Sequence, residues 1–304
     1  MQRRYVTVDV FTDRAFGGNP LAVVLDAERL STAQMQAIAL EFNYSETTFV
    51  LPPRDRAHDA QIRIFTVNSE IPFAGHPNVG TAFVLAARAV KTPARLLFEE
   101  GAGLVPVEIL KSASGGVIGA ELTAPQPLSR ATAFDAAQAA GCLSLLAADI
   151  RTDRHPPAIY SVGLPFLMVE VASRDALRRA RPDAAAFART FPCDGSDAVY
   201  FYTRDVPPAE QVDLQARMFH PGSSGLSEDP ATGSATAAAA GMLADLESLR
   251  DGEFRLRIGQ GVDMGRPSLL LTRVRKQDGA VVYAHVGGSC VEMMEGTFRL
   301  AGER

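Results

Sequence analysis

Short runs of β-branched and aromatic residues, broken by glycine and proline, dominate the chain, and helical spacing is confined to a few segments. "RYVTVDVF" (4–11) and "LAVVL" (21–25) predict two strands joined through "TDRAFGGNP", whose glycines and proline mark a turn region. "STAQMQAIALEFN" (31–43) opens on a Ser/Thr cap and carries apolar residues at helical spacing, which predicts a helix. "ETTFVLP" and "AQIRIFTV" follow as strands, and "RLLFEE", "LVPVEIL" and "VIGAELTAP" read as three more. The second half runs through "AIYSVGLPFLMVEVA", "AVYFYTRD" and "DLQARMFHP". After a further helix come "FRLRIGQG", "SLLLTRVRK", "VVYAHVGG" and "SCVEMMEGTFRL", each read as a strand.

Two segments break this pattern. After Pro77, "NVGTAFVLAA" carries no charge until Arg88, and after Pro230, "ATGSATAAAAGMLA" carries none until Asp245. A helix without a polar face must be covered on all sides. Each half of the chain supplies mainly strands for that purpose, so a curved sheet around one central helix is the packing expected. The openings of the two segments match: "GHPNVGTA" (75–82) aligns with "EDPATGSA" (228–235), sharing proline, glycine and the final alanine. "RIF" (63–65) and "RMF" (217–219) precede them. Self-similarity at half the chain length predicts two copies of one α+β fold. The polar, proline-bearing "TAPQPLSRATA" (123–133) is the expected boundary, giving halves of 1–125 and 126–289.

Candidate chemistry follows from the helix starts. Asp229 is expected to cap the second helix, with Pro230 at its first position. Gly80 and Gly233 are expected in the first turns, where a missing side chain lets backbone or ligand approach. Helix N-termini present free N–H groups and partial positive charge, so they suit an anion. If the two halves face each other, both ends point into one cleft, with His76 at one mouth and Asp229 at the other. Glu46, in "NYSETTFV" (43–50), stands where a helix gives way to a strand, and partial desolvation there would make it a better base.

Composition narrows the classes of function. The net charge is −5 with scattered basic residues and few aromatics, which is no footprint for nucleic acid or an anionic membrane. No stretch approaches eighteen uninterrupted apolar residues, and the start reaches Asp9 too soon for a secretory signal, so a cytoplasmic protein is expected. Cys142, Cys193 and Cys290 are far apart and read as reduced, packed thiols. His58, His155, His220 and His285 show no ligand spacing, and His220 reads as a loop residue. No metal or other cofactor is required by any motif, and neither a GxGxxG nor a phosphate-loop lysine is present.

Taken together, "FGGNPLAVV", "NYSETTFV", "EIPFAGHPNVGTA", "RMFHPGSSGLSEDPATGSA", "GQGVDMGRPS" and the late "VGG" resemble the phenazine-biosynthesis-like isomerases, which share the diaminopimelate epimerase fold. The resemblance covers nearly the whole chain. It implies two pseudo-symmetric halves, each a curved, barrel-like sheet around a central helix, with a last strand (about 290–304) returning to the first half. It also implies a homodimer acting on a small carboxylate, with neither nucleic acid nor membrane as partner. The family's proton-transferring glutamate falls on Glu46, its histidine on His76 and its aspartate on Asp229. Ser45, Gly75, Thr232, Gly233 and Ser234 are the substrate-binding positions. The reaction implied is a cofactor-independent proton shift within trans-2,3-dihydro-3-hydroxyanthranilate or a related compound. Amino-acid epimerisation and non-catalytic carboxylate binding are the alternatives. Gly75 and Asp229 stand where related epimerases have cysteines, which argues against a two-thiol mechanism. Val67 replaces a proline common after "FT" in the family.

Overall fold

The structure, a computed structural model, describes residues 2–222 and 225–300. Its contacts divide the chain into two compact units, Met1–Thr123 with Gly287–Arg304, and Ala124–Val286. The end of the expected returning strand, residues 301–304, lies outside the described residues.

The first unit runs β1 (Gln2–Val10), β2 (Asn19–Val24), α1 (Thr32–Phe42), β3 (Glu46–Leu51), β4 (Ala60–Thr66), β5 (Glu70–Ile71), α2 (Gly75–Arg88), β6 (Arg95–Glu100), β7 (Gly103–Lys111) and β8 (Val117–Thr123). The second contains β9 (Ser129–Ala133), α3 (Ala136–Cys142), β10 (Ile150–Arg151), β11 (Ala158–Ser161), β12 (Pro165–Val171), α4 (Arg174–Arg179), α5 (Ala184–Thr190), β13 (Val199–Thr203), β14 (Leu214–Gly222), β15 (Gly225–Glu228), α6 (Gly233–Asp245), β16 (Gly252–Gln260) and β17 (Ser268–Gln277). Strand β18 (Ala280–Arg299) begins in the second unit and ends in the first.

In the first unit the sheet closes on itself. β18 pairs with β1, and the path continues through β2, β3, β4, β6, β7 and β8 back to β18, an eight-stranded barrel. The β2–β3 and β4–β6 pairs are parallel, because α1 and α2 supply the crossovers that parallel neighbours need. The second unit repeats the succession. β11–β12 is antiparallel, β12–β13 parallel, β13–β14 antiparallel, β14–β16 parallel and β16–β17 antiparallel. The sequence repeat is thus a repeat of topology, with α6 taking the place of α2.

Both uncharged helices are interior. Eleven of the fourteen residues of α2 and eleven of the thirteen of α6 are buried. Helix α2 packs on β1, β2, β3, β7 and β8, while α6 packs on β11, β12, β16 and β17. The C-terminal end of α6 is met by buried Lys276, whose Nζ donates to the carbonyls of Ala244 and Glu247 at 2.9 Å each. A cation at that end opposes the partial negative charge of the helix and satisfies carbonyls without intrahelical partners.

Gly80 corrects one expectation. It lies in the second turn of α2, and a Cβ there would stand 2.7 Å from Leu21 Cδ2 and 2.8 Å from Val10 Cγ2. The missing side chain admits the barrel wall, not a ligand. Gly80→Ala is expected to lower stability by roughly 1–3 kcal/mol through overpacking, outweighing alanine's helix preference of up to about 1 kcal/mol. Urea denaturation measures this, and an unchanged or raised midpoint would contradict the packing argument.

Other elements also depart from the pattern reading. The polar segment around 129–133 forms the exposed strand β9. "VVYAHVGG" and "SCVEMMEGTFRL" join into the single twenty-residue β18. It is entered through Asp278 and Gly279, both at positive φ as a two-residue type I′ hairpin requires. His220 belongs to strand β14, not to a loop. Helices α3, α4 and α5, which no periodicity marked, cover the sheet of the second unit through Ala139, Leu177 and Phe187.

Candidate active site

Candidate residues occur in each unit, and each unit's set is built from its own elements. In the first, α1 is started by a capping box in which Ser31 and Gln34 serve each other's backbone N–H. It stops at Asn43, which takes the left-handed conformation at φ 53°. Three residues later Glu46 opens β3, held by the ladders to Leu21 of β2 and Thr66 of β4. The carboxylate is therefore carried by a strand paired on both sides, and its side chain is 18% exposed.

His76 is the second residue of α2 and is buried. Its Nε2 stands 3.5 Å from Glu46 Oε2. Its Nδ1 lies 3.3 Å from Nδ2 of Asn19, the first residue of β2. Asn19 Oδ1 accepts from Ser45 Oγ at 3.4 Å. An amide N–H aimed at Nδ1 leaves the imidazole proton on Nε2, facing Glu46. Burial drives the His76 pKa down to about 3, so the ring is neutral at physiological pH and the Glu46 contact is not an ion pair. Ser45, Asn19, His76 and Glu46 form one row across β2, β3 and the start of α2. Asn19 was not singled out from sequence, although it sits inside "FGGNPLAVV".

In the second unit, Asp229 is not the cap of α6 and Pro230 is not its first residue. The helix begins at Gly233, with Thr232 at the cap position and no side-chain cap bond. Asp229 instead accepts a hydrogen bond from Thr232 Oγ1. Gln260 fastens the intervening loop from beneath: its amide donates to Asp229 O at 2.8 Å and Thr232 Oγ1 at 3.0 Å, and accepts from Thr232 N at 3.1 Å. Ser268 Oγ donates to Pro230 O at 2.9 Å. Gly261 follows at φ 73°, and a Cβ there would meet Pro230 O at 2.5 Å, so glycine is required by both conformation and space. The segment "GQGVDMGRPS" is thus the clamp on the Asp229 loop, a role no residue pattern disclosed. On the other side Glu228 makes a two-pronged pair with buried Arg217, at 2.8 and 2.7 Å.

Helix α2 likewise has no side-chain cap bond at Ala74. Both interior helices therefore start without a capping side chain, where first-turn N–H groups favour an anion. Gly75 is the first residue of α2, and Gly233 and Ser234 are the first two of α6; Ser234 is partly exposed while Gly75 and Gly233 are buried. The cysteines lie elsewhere. Cys142 and Cys290 are buried, and burial raises both thiols, Cys290 to about 12.

The model of the family described as "Phenazine biosynthesis-like protein" matches residues 8–296. The chain belongs to the phenazine biosynthesis-like family. An uncharacterized isomerase of Mesorhizobium japonicum is 41% identical over 301 residues, covering 97% of this chain and 98% of the relative. Trans-2,3-dihydro-3-hydroxyanthranilate isomerase of Pseudomonas chlororaphis is 36% identical, covering 97% and 99%. Among solved structures, a PhzF-family phenazine biosynthesis protein of Bacillus anthracis superposes with a TM-score of 0.86 at 25% identity, covering 99% of this chain and all of the other. This family member is an isomerase, and its fold is the one expected from the repeat. Among the described residues, no helix is long and apolar enough to cross a membrane.

Proposed function

We propose that the protein moves a proton within a small unsaturated carboxylate by acid–base chemistry of its own side chains, without a cofactor. The substrate class is that of trans-2,3-dihydro-3-hydroxyanthranilate, the compound named for its Pseudomonas relatives. One observation carries the reading: Glu46 Oε2 faces a buried, neutral imidazole that is held in one tautomer by Asn19. Glu46 takes the carbon-bound proton and returns it at another carbon of the same substrate. His76 keeps its Nε2 proton and orients the reacting group as a neutral donor. Abstraction builds negative charge on the unsaturated carboxylate, which the uncapped first turn of α2, the turn that carries His76, suits. Asp229 and Thr232 form a hydrogen-bonded pair that orients the substrate, with Ser45 and Ser234 as further polar contacts.

The experiment is incubation of dihydroaromatic and amino-acid carboxylates in heavy water with the protein, followed by mass spectrometry. Deuterium uptake coupled to a double-bond shift is the result expected. Uptake with inversion at a single carbon would instead make the protein an epimerase. Saturable binding with no exchange in any compound would make it a carrier.

A further inference from the structure

Asp229 sits between two anchors, Glu228 at the end of β15 and the Gln260–Gly261 clamp beneath its loop. The short helix α4, which the reaction as described does not use, is joined to both. At its C-terminal end, Nη1 of buried Arg217 donates to the carbonyls of Leu177 at 2.7 Å and Ala180 at 3.1 Å. The other edge of that guanidinium holds both oxygens of Glu228, and Cζ lies 5.0 Å from the ring centre of Phe219. Asp229 N donates to the carbonyl of Met218, the next residue after Arg217, at 3.2 Å. At the N-terminal end of α4, Arg174 makes a second fork, Nη1 and Nη2 to the two oxygens of Asp263 at 2.8 and 3.0 Å. Asp263 lies in the turn Val262–Met264, directly after Gly261. Arg174 N donates to Asp205 Oδ2 at 3.0 Å, which fixes the point from which this fork reaches out.

These bonds close a circuit. From Asp229 it passes through Glu228 and Arg217 to the end of α4 and along the helix to Arg174. It continues through Asp263 and Gly261 to Gln260, whose amide returns to Asp229 O and Thr232. A guanidinium–carboxylate fork fixes angle as well as distance, which a point charge on a flexible stem does not. The six residues of α4 are too few to make a helix stable by itself, so its place is set by what it joins. We infer that α4 is a bracket that positions Asp229 for the reaction, with Arg217 and Arg174 as its two positioning residues. The catalytic consequence rests on the isomerase reading, in which Asp229 orients the substrate. The mechanical link does not.

Arg217 is buried and its replacement endangers the fold, so the test uses Arg174, whose fork ends on Asp263 and not on the Asp229 loop. Arg174→Gln keeps a long polar side chain and removes the fork. Hydrogen–deuterium exchange read by mass spectrometry needs no substrate. The segment 229–236, in which Thr232 N–H is bonded to Gln260, is expected to exchange about fivefold faster in Arg174→Gln than in wild type. Asp175→Asn is the control: it removes exposed pairs with Arg178 and Arg179 on the same helix and should leave that segment unchanged. Faster exchange confined to residues 262–266, or equal in both variants, would overturn the bracket whatever the reaction proves to be. In turnover, Arg174→Gln is expected to lose about tenfold in kcat with KM within about threefold of wild type. That is a modest share of the 10²-fold that a displacement of about 1 Å can cost. A wild-type kcat in Arg174→Gln, or the same loss in Asp175→Asn, would remove the positioning role. Absence of turnover in the wild-type protein would instead overturn the isomerase reading, and the exchange result would still decide the bracket.

Discussion

Glu46→Gln is expected to lower kcat by a factor of about 10²–10⁴, the usual contribution of a positioned general base, while a non-reacting carboxylate analogue still binds within a few-fold of wild type. The amide keeps the shape of the side chain and its place in the β3 ladder, between Leu21 and Thr66. It loses the ability to accept a proton. The paired measurements are initial rates of substrate isomerisation and calorimetric binding of the analogue. Loss of both would point to a collapsed site, which circular dichroism would detect. Near wild-type turnover would reduce Glu46 to a structural residue and leave Asp229, clamped by Gln260 and Thr232, as the candidate base.

The second large effect is on acid stability. A buried neutral histidine titrates near 3 in the native protein against an ordinary value of 6.5. Between those values the unfolded chain holds a proton that the native one does not. Stability from this group is therefore complete above pH 6.5 and is lost as pH falls toward 3, by up to about 1.4 kcal/mol per pH unit. His76→Gln removes the titration and should flatten that part of the profile. Its difference from wild type, measured by urea unfolding between pH 7 and pH 4, isolates the contribution from carboxylates that titrate in both proteins. Superimposable acid limbs would show that the imidazole is hydrated or already charged in the native state.

Much of the fold was readable because its least usual elements are also its most exacting. Helices without charge, rich in alanine and glycine, have no stable place except an interior, and writing them twice announced two copies of one topology. The candidate bases were readable for the related reason that acids and histidines are few at such boundaries. What escaped notice was support. Asn19 and Gln260 are ordinary amides in sequence, and their importance lies in bonds to residues 57 and 31 positions away. The cap expected of Asp229 was drawn from local preference. The structure spends that carboxylate on Thr232 and starts the helix at Gly233, so local propensity lost to the loop's tertiary clamp. Helices α3 to α5 are too short to establish a period, and it is packing on the sheet that makes them helical.

Strand β18 bears on how the protein is made. Gln2 pairs with Arg299 and Val10 with Cys290, so β1 gains its second neighbour only after the whole second unit has been translated. Until then β1 and β8 are open edges, each with a row of backbone groups that another chain can pair with. The first unit is therefore the last to be completed, although most of it is translated first. A chain cut after Val286 would retain the Glu46 and His76 segment in sequence but lack the stave that closes the barrel around it. Loss of the stretch after Val286 would thus undo the setting of residues some two hundred positions earlier in the chain.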